Sequence, residues 1–330
     1  MRGLLALAAI LATCLVALSG LAVVAVLGAE PPIRIGIISR PGHELLSLAE
    51  EKAYFAKEGA PVRIVEFPSL LDARRAYERN QIDGLAATLV ELAQLRGSRS
   101  RRPVAISVLD VSEGGDALFV RQEISDIASL RGRRVGLELE TSAELVLARA
   151  LATAGLELED VSLVPLHADE APRALADGEV DAIVAAPPMA VAVERIGGAR
   201  VLYSSASMPL EVADLLMLDE RVLESRPSHA DAILRALGRS VELTERAPTI
   251  AHRLMGRPEK LSAQEMREAL ERGYRLPGPA EQARLLAPGG PLDHELRRIA
   301  PRLRRSEEGV REGALDGSLT PDVVGRAARG

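Results

Sequence analysis

The chain has 330 residues, 47% hydrophobic and 27% charged, with a net charge of −6, no Trp and 2% aromatics. That length suffices for two domains with their own cores, and the composition is globular rather than disordered. The acidic balance argues against general nucleic-acid binding, and one cysteine excludes a disulfide within the chain.

From Gly3 to Gly28 there is no charged residue. A helix over this stretch, rising about 1.5 Å per residue, would exceed a bilayer core of about 30 Å. Residues 1–29 are therefore expected to form a membrane anchor or signal segment, touching the membrane through residues 3–28. Arg2 is the one charge before Glu30, which keeps the amino end cytoplasmic and exports the remainder. Leu11-Ala12-Thr13-Cys14 loosely resembles a bacterial lipobox, so the leader is open to cleavage, retention or lipidation at Cys14.

Beyond the leader, a strand-helix-strand-helix-strand pattern is written twice, about 98 to 100 residues apart. Ile33 to Ile38 aligns with Arg134 to Leu137, bringing Gly36 onto Gly136. Val62 to Val65 aligns with Val161 to Val164, both alternating as strands do. Asp72-Ala73-x-x-Ala76-Tyr77 leads to Asn80-Gln81-Ile82-Asp83-Gly84, and Glu170-Ala171-x-x-Ala174-Leu175 leads to Gly178-Glu179-Val180-Asp181-Ala182. Each predicts a helix closed by a left-handed Asn or Gly and followed by a small-residue strand. Such alternation implies parallel βαβ units, two lobes, and ligand-facing loops at the carboxyl ends of the strands.

Those loops supply the candidate site. After the first strand comes Ser39-Arg40-Pro41-Gly42-His43, opening a helix near Glu44 whose free N–H groups suit an anion, with Arg40 as a bidentate partner or else a surface residue on a turn. The second lobe offers Glu138-Leu139-Glu140-Thr141-Ser142 at the matching place. Thr141 with Glu144, and Thr88 with Glu91, fit a capping box, so those hydroxyls cap their helices, meet a ligand, or do both. Arg96, Arg99, Arg101 and Arg102, and Arg297 to Arg305, read as a solvated loop and helix face. The five histidines are dispersed and no metal spacing, phosphate loop, nucleophile elbow or dinucleotide fingerprint occurs, so neither cofactor nor metal nor catalysis is expected.

The chain resembles the extracytoplasmic solute-binding proteins of ABC importers for nitrate, taurine and aliphatic sulfonates, which include pyrimidine-precursor binders. The resemblance rests on Ile35-Gly36-Ile37 with Pro41-Gly42-His43, Ala53 to Gly59, Gln81 to Gly84 with Thr88-Leu89, Val108 to Asp110 with Gly115 to Ala117, Ser129 to Gly136, and Gly178 to Ala182. It implies an α/β, type II periplasmic-binding-protein-like fold, with two parallel or mixed sheets and a ligand cleft between the lobes. Lobe 1 would comprise 30–116 and 215–330, and lobe 2 would comprise 117–214, with crossings near Ala117 to Val120 and Leu215 to Leu218. It further implies that the protein, on the periplasmic or cell-surface side of the cytoplasmic membrane, captures a small anionic organic solute by lobe closure and delivers it to a permease and ATPase.

The expected ligand contacts are Ser39, Arg40, Gly42, His43, Thr88, Asp116, Thr141, Ser142, Pro187 and Asp214. Asp116 and Asp214 would hold a ligand amine or bond the hinge. Similar proteins often carry an aromatic where Arg40 stands and a Trp-acid-Pro element where Ala186-Pro187-Pro188 stands. A membrane-anchored sensor or scaffold, and an enzyme resembling a thiamine-pyrimidine synthase, are the alternatives.

Overall fold

The computed structural model describes residues 30–97, 101–303 and 313–327. The architecture below belongs to the compact unit Ile33–Gly330. The apolar segment 3–28, with Cys14, lies outside the described residues; among those described, no helix is long and apolar enough to cross a membrane.

Strand β1 (Ile33–Ile37) leads to helices α1 (Glu44–Glu51) and α2 (Tyr54–Glu58), then β2 (Val62–Glu66), α3 (Leu70–Glu78), β3 (Gly84–Thr88), α4 (Leu89–Gly97) and β4 (Pro103–Ser112). The next stretch holds β5 (Ala117–Arg121), β6 (Arg134–Leu137), α5 (Ser142–Ala152), β7 (Ser162–Pro165), α6 (Ala171–Ala176), β8 (Ala182–Ala185), α7 (Met189–Ile196) and β9 (Ala199–Ser204). The chain returns through β10 (Ala213–Asp219), α8 (Glu220–Ser225), α9 (Pro227–Arg246), α10 (Pro248–Gly256), α11 (Ala263–Gly273) and β11 (Tyr274–Arg275). Helices α12 (Pro279–Leu285), α13 (Pro291–Ile299) and α14 (Asp322–Ala327) follow.

The strands form two mixed sheets, ordered β11-β4-β10-β3-β1-β2 and β7-β6-β8-β5-β9. In each, three strands run parallel, and an antiparallel strand is inserted beside the third: β10 in the first sheet and β5 in the second. Each inserted strand adjoins a crossing between the sheets, so the chain passes from one to the other at Glu113 to Asp116 and back at Ser205 to Val212. The fold is thus the two-lobed α/β arrangement that the duplicated pattern predicts.

Strand β10 is buried along its whole length. Leu215 and Met217 join one apolar cluster and Leu216 and Leu218 another, because alternate side chains point to opposite, helix-covered faces. Burying each such side chain contributes about 1.5–3 kcal/mol. The first cluster continues through Val90 of α4 into Leu118 and Leu145 of the second lobe, so the lobes share packed apolar surface.

The two copies are closed by the same contacts. Asn80 after α3 has φ 58° and Gly178 after α6 has φ 73°. Arg34 of β1 donates to Asp83 Oδ2 from its backbone N and its Nε, each at 2.9 Å, and from Nη2 to Asn80 O at 3.1 Å. Arg134 of β6 repeats this, with its backbone N 2.9 Å from Asp181 Oδ2 and Nη2 2.9 Å from Gly178 O. Helix α2 ends at Gly59, φ 82°, and buries Phe55, while Tyr54 stays half-buried under Lys57.

Two members of the first arginine cluster depart from the expected solvated loop. Arg101 is buried, with its guanidinium 4.0 Å from the Tyr77 ring centroid, Nε 2.7 Å from Asp219 Oδ2, and Nη1 donating to Tyr77 O and Ile82 O. Arg96 is also buried and donates to Ala314 O and Asp316 O. Their partners lie on segments remote in sequence, which charge patterning cannot show. Arg297 and Arg298 are exposed and ion-paired, as a solvated helix face requires.

Candidate functional site

A cavity of about 260 Å³ lies between the carboxyl ends of the strands of the two sheets. The first lobe contributes Ser39, Arg40 and Phe67, the crossing contributes Asp116, and the second lobe contributes Glu138, Thr141, Ser142 and Pro187. Six of the ten expected contacts therefore line it: Ser39, Arg40, Asp116, Thr141, Ser142 and Pro187. Gly42, His43, Thr88 and Asp214 stand behind the wall and are not part of the lining.

Arg40 is not a surface residue on a turn. It is 5% exposed, and its Nη1 and Nη2 reach Asp116 Oδ1 and Oδ2 at 3.2 and 3.1 Å, while its Nε reaches Asp214 Oδ2 at 2.9 Å. The bidentate carboxylate expected of a ligand is supplied by the protein itself. His43 Nδ1 accepts the Ile38 N–H at 3.4 Å, so Nε2 carries the proton and faces Asp214 Oδ1 at 3.3 Å. Burial opposes ionisation of Asp214, but Arg40 and His43 outweigh it and hold its pKa below the usual carboxylate range.

Asp110, on β4, completes the cluster. Fully buried, with neither oxygen receiving a hydrogen bond from a donor group, it is pushed well above the usual range by burial and then by the charge of Asp214. Both effects favour the protonated form of Asp110, and the one guanidinium of Arg40 faces the two carboxylates of Asp116 and Asp214. Tyr274 of β11 is buried against this group, and burial followed by the charge of Asp116 raises its phenol strongly. Gly42 is explained here: a Cβ on it would fall 1.8 Å from Asp110 Oδ2, so only glycine lets the first loop descend onto β4.

A second buried acid pair lies beside Ser39, whose hydroxyl donates to Glu259. Glu44 adjoins Glu259, and burial followed by that neighbour's charge pushes its pKa up to about 9. The pair holds a proton at neutral pH.

Capping decides the role of the threonines. The Thr141 hydroxyl donates to Glu138 O at 2.8 Å and accepts the Ala143 N–H at 3.2 Å, while Glu144 takes the N–H of Glu140 at 3.1 Å, one residue earlier than the expected box. Thr141 thus caps α5 and lines the cavity at once. Thr88 does not reach the cavity: its hydroxyl is fully buried, donates to Glu91 at 2.5 Å and accepts the Val90 N–H at 3.1 Å, so capping wins there. Ser142 is buried at the cavity wall and its hydroxyl bonds no described residue.

Sequence reasoning did not foresee how the lobes meet at this cavity. Glu138 Oε1, from the second lobe, accepts the Leu71 N–H at the start of α3 at 3.1 Å. Beside it, buried Arg74 pairs with Glu140 Oε2 at 2.8 Å, and Gln94 Nε2 donates to Glu140 O at 3.0 Å. An arginine in the middle of an amphipathic helix gave the one available signal, since α3 buries Arg74 on its apolar side. Among the described residues, no group of three or more His, Cys, Asp or Glu is arranged to hold a metal.

The sequence profile of the NMT1-like family matches residues 28–254. The chain belongs to the NMT1-like family. A Bacillus subtilis protein named for binding aliphatic sulfonates is 27% identical over 222 residues, which cover 63% of this chain and 64% of that protein. The match thus spans less than two thirds of this relative's length. Among solved structures, the alkanesulfonate-binding protein of Xanthomonas axonopodis, bound to MOPS, has a TM-score of 0.70 at 18% identity, covering 91% of this chain and 99% of that one. The periplasmic nitrate-binding protein of Synechocystis has a TM-score of 0.72 at 13% identity, covering 91% and 90%. At such identities these likenesses establish the fold, which is that of periplasmic binding proteins.

Proposed function

We propose that this protein is the extracytoplasmic solute-binding component of an ABC importer, capturing a small organic solute of the sulfonate class by lobe closure. The observation that carries the reading is the cavity of about 260 Å³ at the strand ends, where both lobes set a few polar side chains, Ser39, Arg40, Thr141 and Ser142 among them, in a mostly apolar wall. A solute touching both walls favours the closed form, and open and closed forms need differ by only a few kcal/mol. The bodies that close are residues 30–116 with 215–330, and residues 117–214. Residues 3–28 supply the signal or anchor, and the partners are a permease and its ATPase. The names of the Bacillus and Xanthomonas relatives support the sulfonate class. The protein is read as a binder and not an enzyme, because Arg40 and His43, its strongest polar groups, are spent on Asp116 and Asp214.

A dye-based thermal shift of the purified chain against sulfonates, nitrate, carboxylates, amino acids and pyrimidines tests this. A ligand at 100-fold its dissociation constant adds about 2.7 kcal/mol, or several degrees. A selective shift by sulfonates supports the reading, and a flat panel overturns it.

A further inference from the structure

Helix α7 belongs to the cavity wall and also reaches across to the first lobe. Pro187, Pro188 and Met189 at its start line the cavity, and its Ala190 and Val193 are buried in the second lobe's own apolar cluster. Val191 and Arg195, one helical turn apart, meet the first lobe instead: Val191 packs against that lobe's cluster, and Arg195 Nε donates to Glu265 Oε1 at 2.9 Å. Glu265 is already held in place, because its Oε2 accepts the Ser262 N–H at 2.9 Å in a capping box at the start of α11. At the far end of α11, about 12 Å away along the helix, Gly273 O accepts the N–H groups of Glu113 and Gly115 at the outgoing crossing. The turn that precedes α11 touches the cavity too, where Glu259 accepts the Ser39 hydroxyl. This turn and α11 lie beyond residue 254, where the match to the family profile ends.

We propose that Arg195 and Glu265 form a catch that holds the lobes shut and so sets how tightly the cleft keeps its solute. This deepens the solute-binding reading above and rests on it. Neither side chain lines the cavity, so both are positioning residues that act through α7. The catch stands a helix length away from the crossing, so a rotation about the crossings that draws the cavity wall back must part Arg195 from Glu265 and uncover Val191. Exposed ion pairs are weak largely because two long side chains must be ordered, and here the capping box has already ordered one of them. With Arg195 50% and Glu265 30% exposed, the contribution is modest. Open and closed forms lie so close in free energy, however, that a change of about two- to fivefold in their ratio passes into the apparent affinity.

Solution scattering of the full-length chain without solute, and calorimetric titration with 1-propanesulfonate, test the catch on Arg195→Gln and Glu265→Gln. Gln at position 265 keeps an acceptor for the Ser262 N–H, so the cap survives the loss of charge. Each variant is expected to show a larger radius of gyration than the wild type and to bind 1-propanesulfonate about two- to fivefold more weakly. The melting temperature without solute is expected to stay within about 1 °C of the wild type. Arg195→Lys keeps the cation and is expected to restore both the radius and the affinity. An unchanged radius in both Gln variants overturns the catch, whatever the affinity. A melting temperature that falls in step with the affinity overturns it as well, because the pair would then be an ordinary structural contact. If the wild-type chain does not bind 1-propanesulfonate, the sulfonate reading fails on its own, and the scattering comparison still decides the catch.

Discussion

Arg40 Nε lies 2.9 Å from Asp214 Oδ2 across 174 residues of sequence, tying the first cleft loop to the strand on which the chain returns from the second lobe. The same guanidinium holds Asp116 at the outgoing crossing. One side chain thus clasps both connections between the lobes at a single ion-paired point.

Replacing Arg40 by Met leaves Asp116 and Asp214 buried without their cation. Urea unfolding should show a loss of about 3–5 kcal/mol. Asp214→Asn added to Arg40→Met should recover part of that loss, because the two changes act on one network; strictly additive losses would show that the pair is not coupled.

Gly42→Ala places a methyl on the Asp110 carboxyl, 1.8 Å from Oδ2 and 2.8 Å from Cγ. Asp110 is fully buried, so its carboxyl cannot escape the contact by turning into solvent. The variant should lose about 1–3 kcal/mol, and Asp110→Ala should relieve most of the added cost in a double-mutant cycle. A cycle without coupling would refute the contact.

The Glu44 carboxyl, with its pKa near 9 when folded, sets a pH trend. The folded chain binds a proton that the unfolded chain releases near the ordinary glutamate range, so stability from this group is full below that range and declines as pH rises towards about 9. Glu44→Gln removes the titration. Its melting temperature relative to the wild type should therefore rise between pH 5 and pH 9, by at least about 2–4 °C if the change exceeds 1 kcal/mol. A parallel pair of pH profiles would contradict the burial argument.

Arg74 and Glu140 latch the lobes beside the cavity at 2.8 Å. Glu140→Ala should cost about 1–3 kcal/mol, because it leaves the buried Arg74 guanidinium without its carboxylate although that carboxylate is itself 39% exposed. Its effect should also appear in solution scattering as a larger radius of gyration without ligand. An unchanged radius with unchanged stability would show that the apolar contacts alone hold the lobes.

Much of this protein is local and therefore readable. The Asn80 and Gly178 caps, the aligned glycines and the Asp83 and Asp181 positions are each specified within a few residues, and both copies fold by the same contacts. The loops that carry Ser39, Thr141 and Ser142 to the cavity follow from strand order alone. The roles of their side chains were not readable. Thr88 and Thr141 carry the same Thr-x-x-Glu pattern, yet Thr88 is fully buried behind the wall while Thr141 lines the cavity.

The sequence by itself determined the duplicated lobes, since periodicity and capping act over one turn or one strand. Tertiary structure alone decided that Arg40 spends its charge on Asp116 and Asp214, 76 and 174 residues away, and that Glu138 seats itself on α3 of the other lobe. The physical reason is that an ion pair or a shared proton depends on the distance and desolvation between groups, which the chain acquires only when both crossings bring the two sheets together.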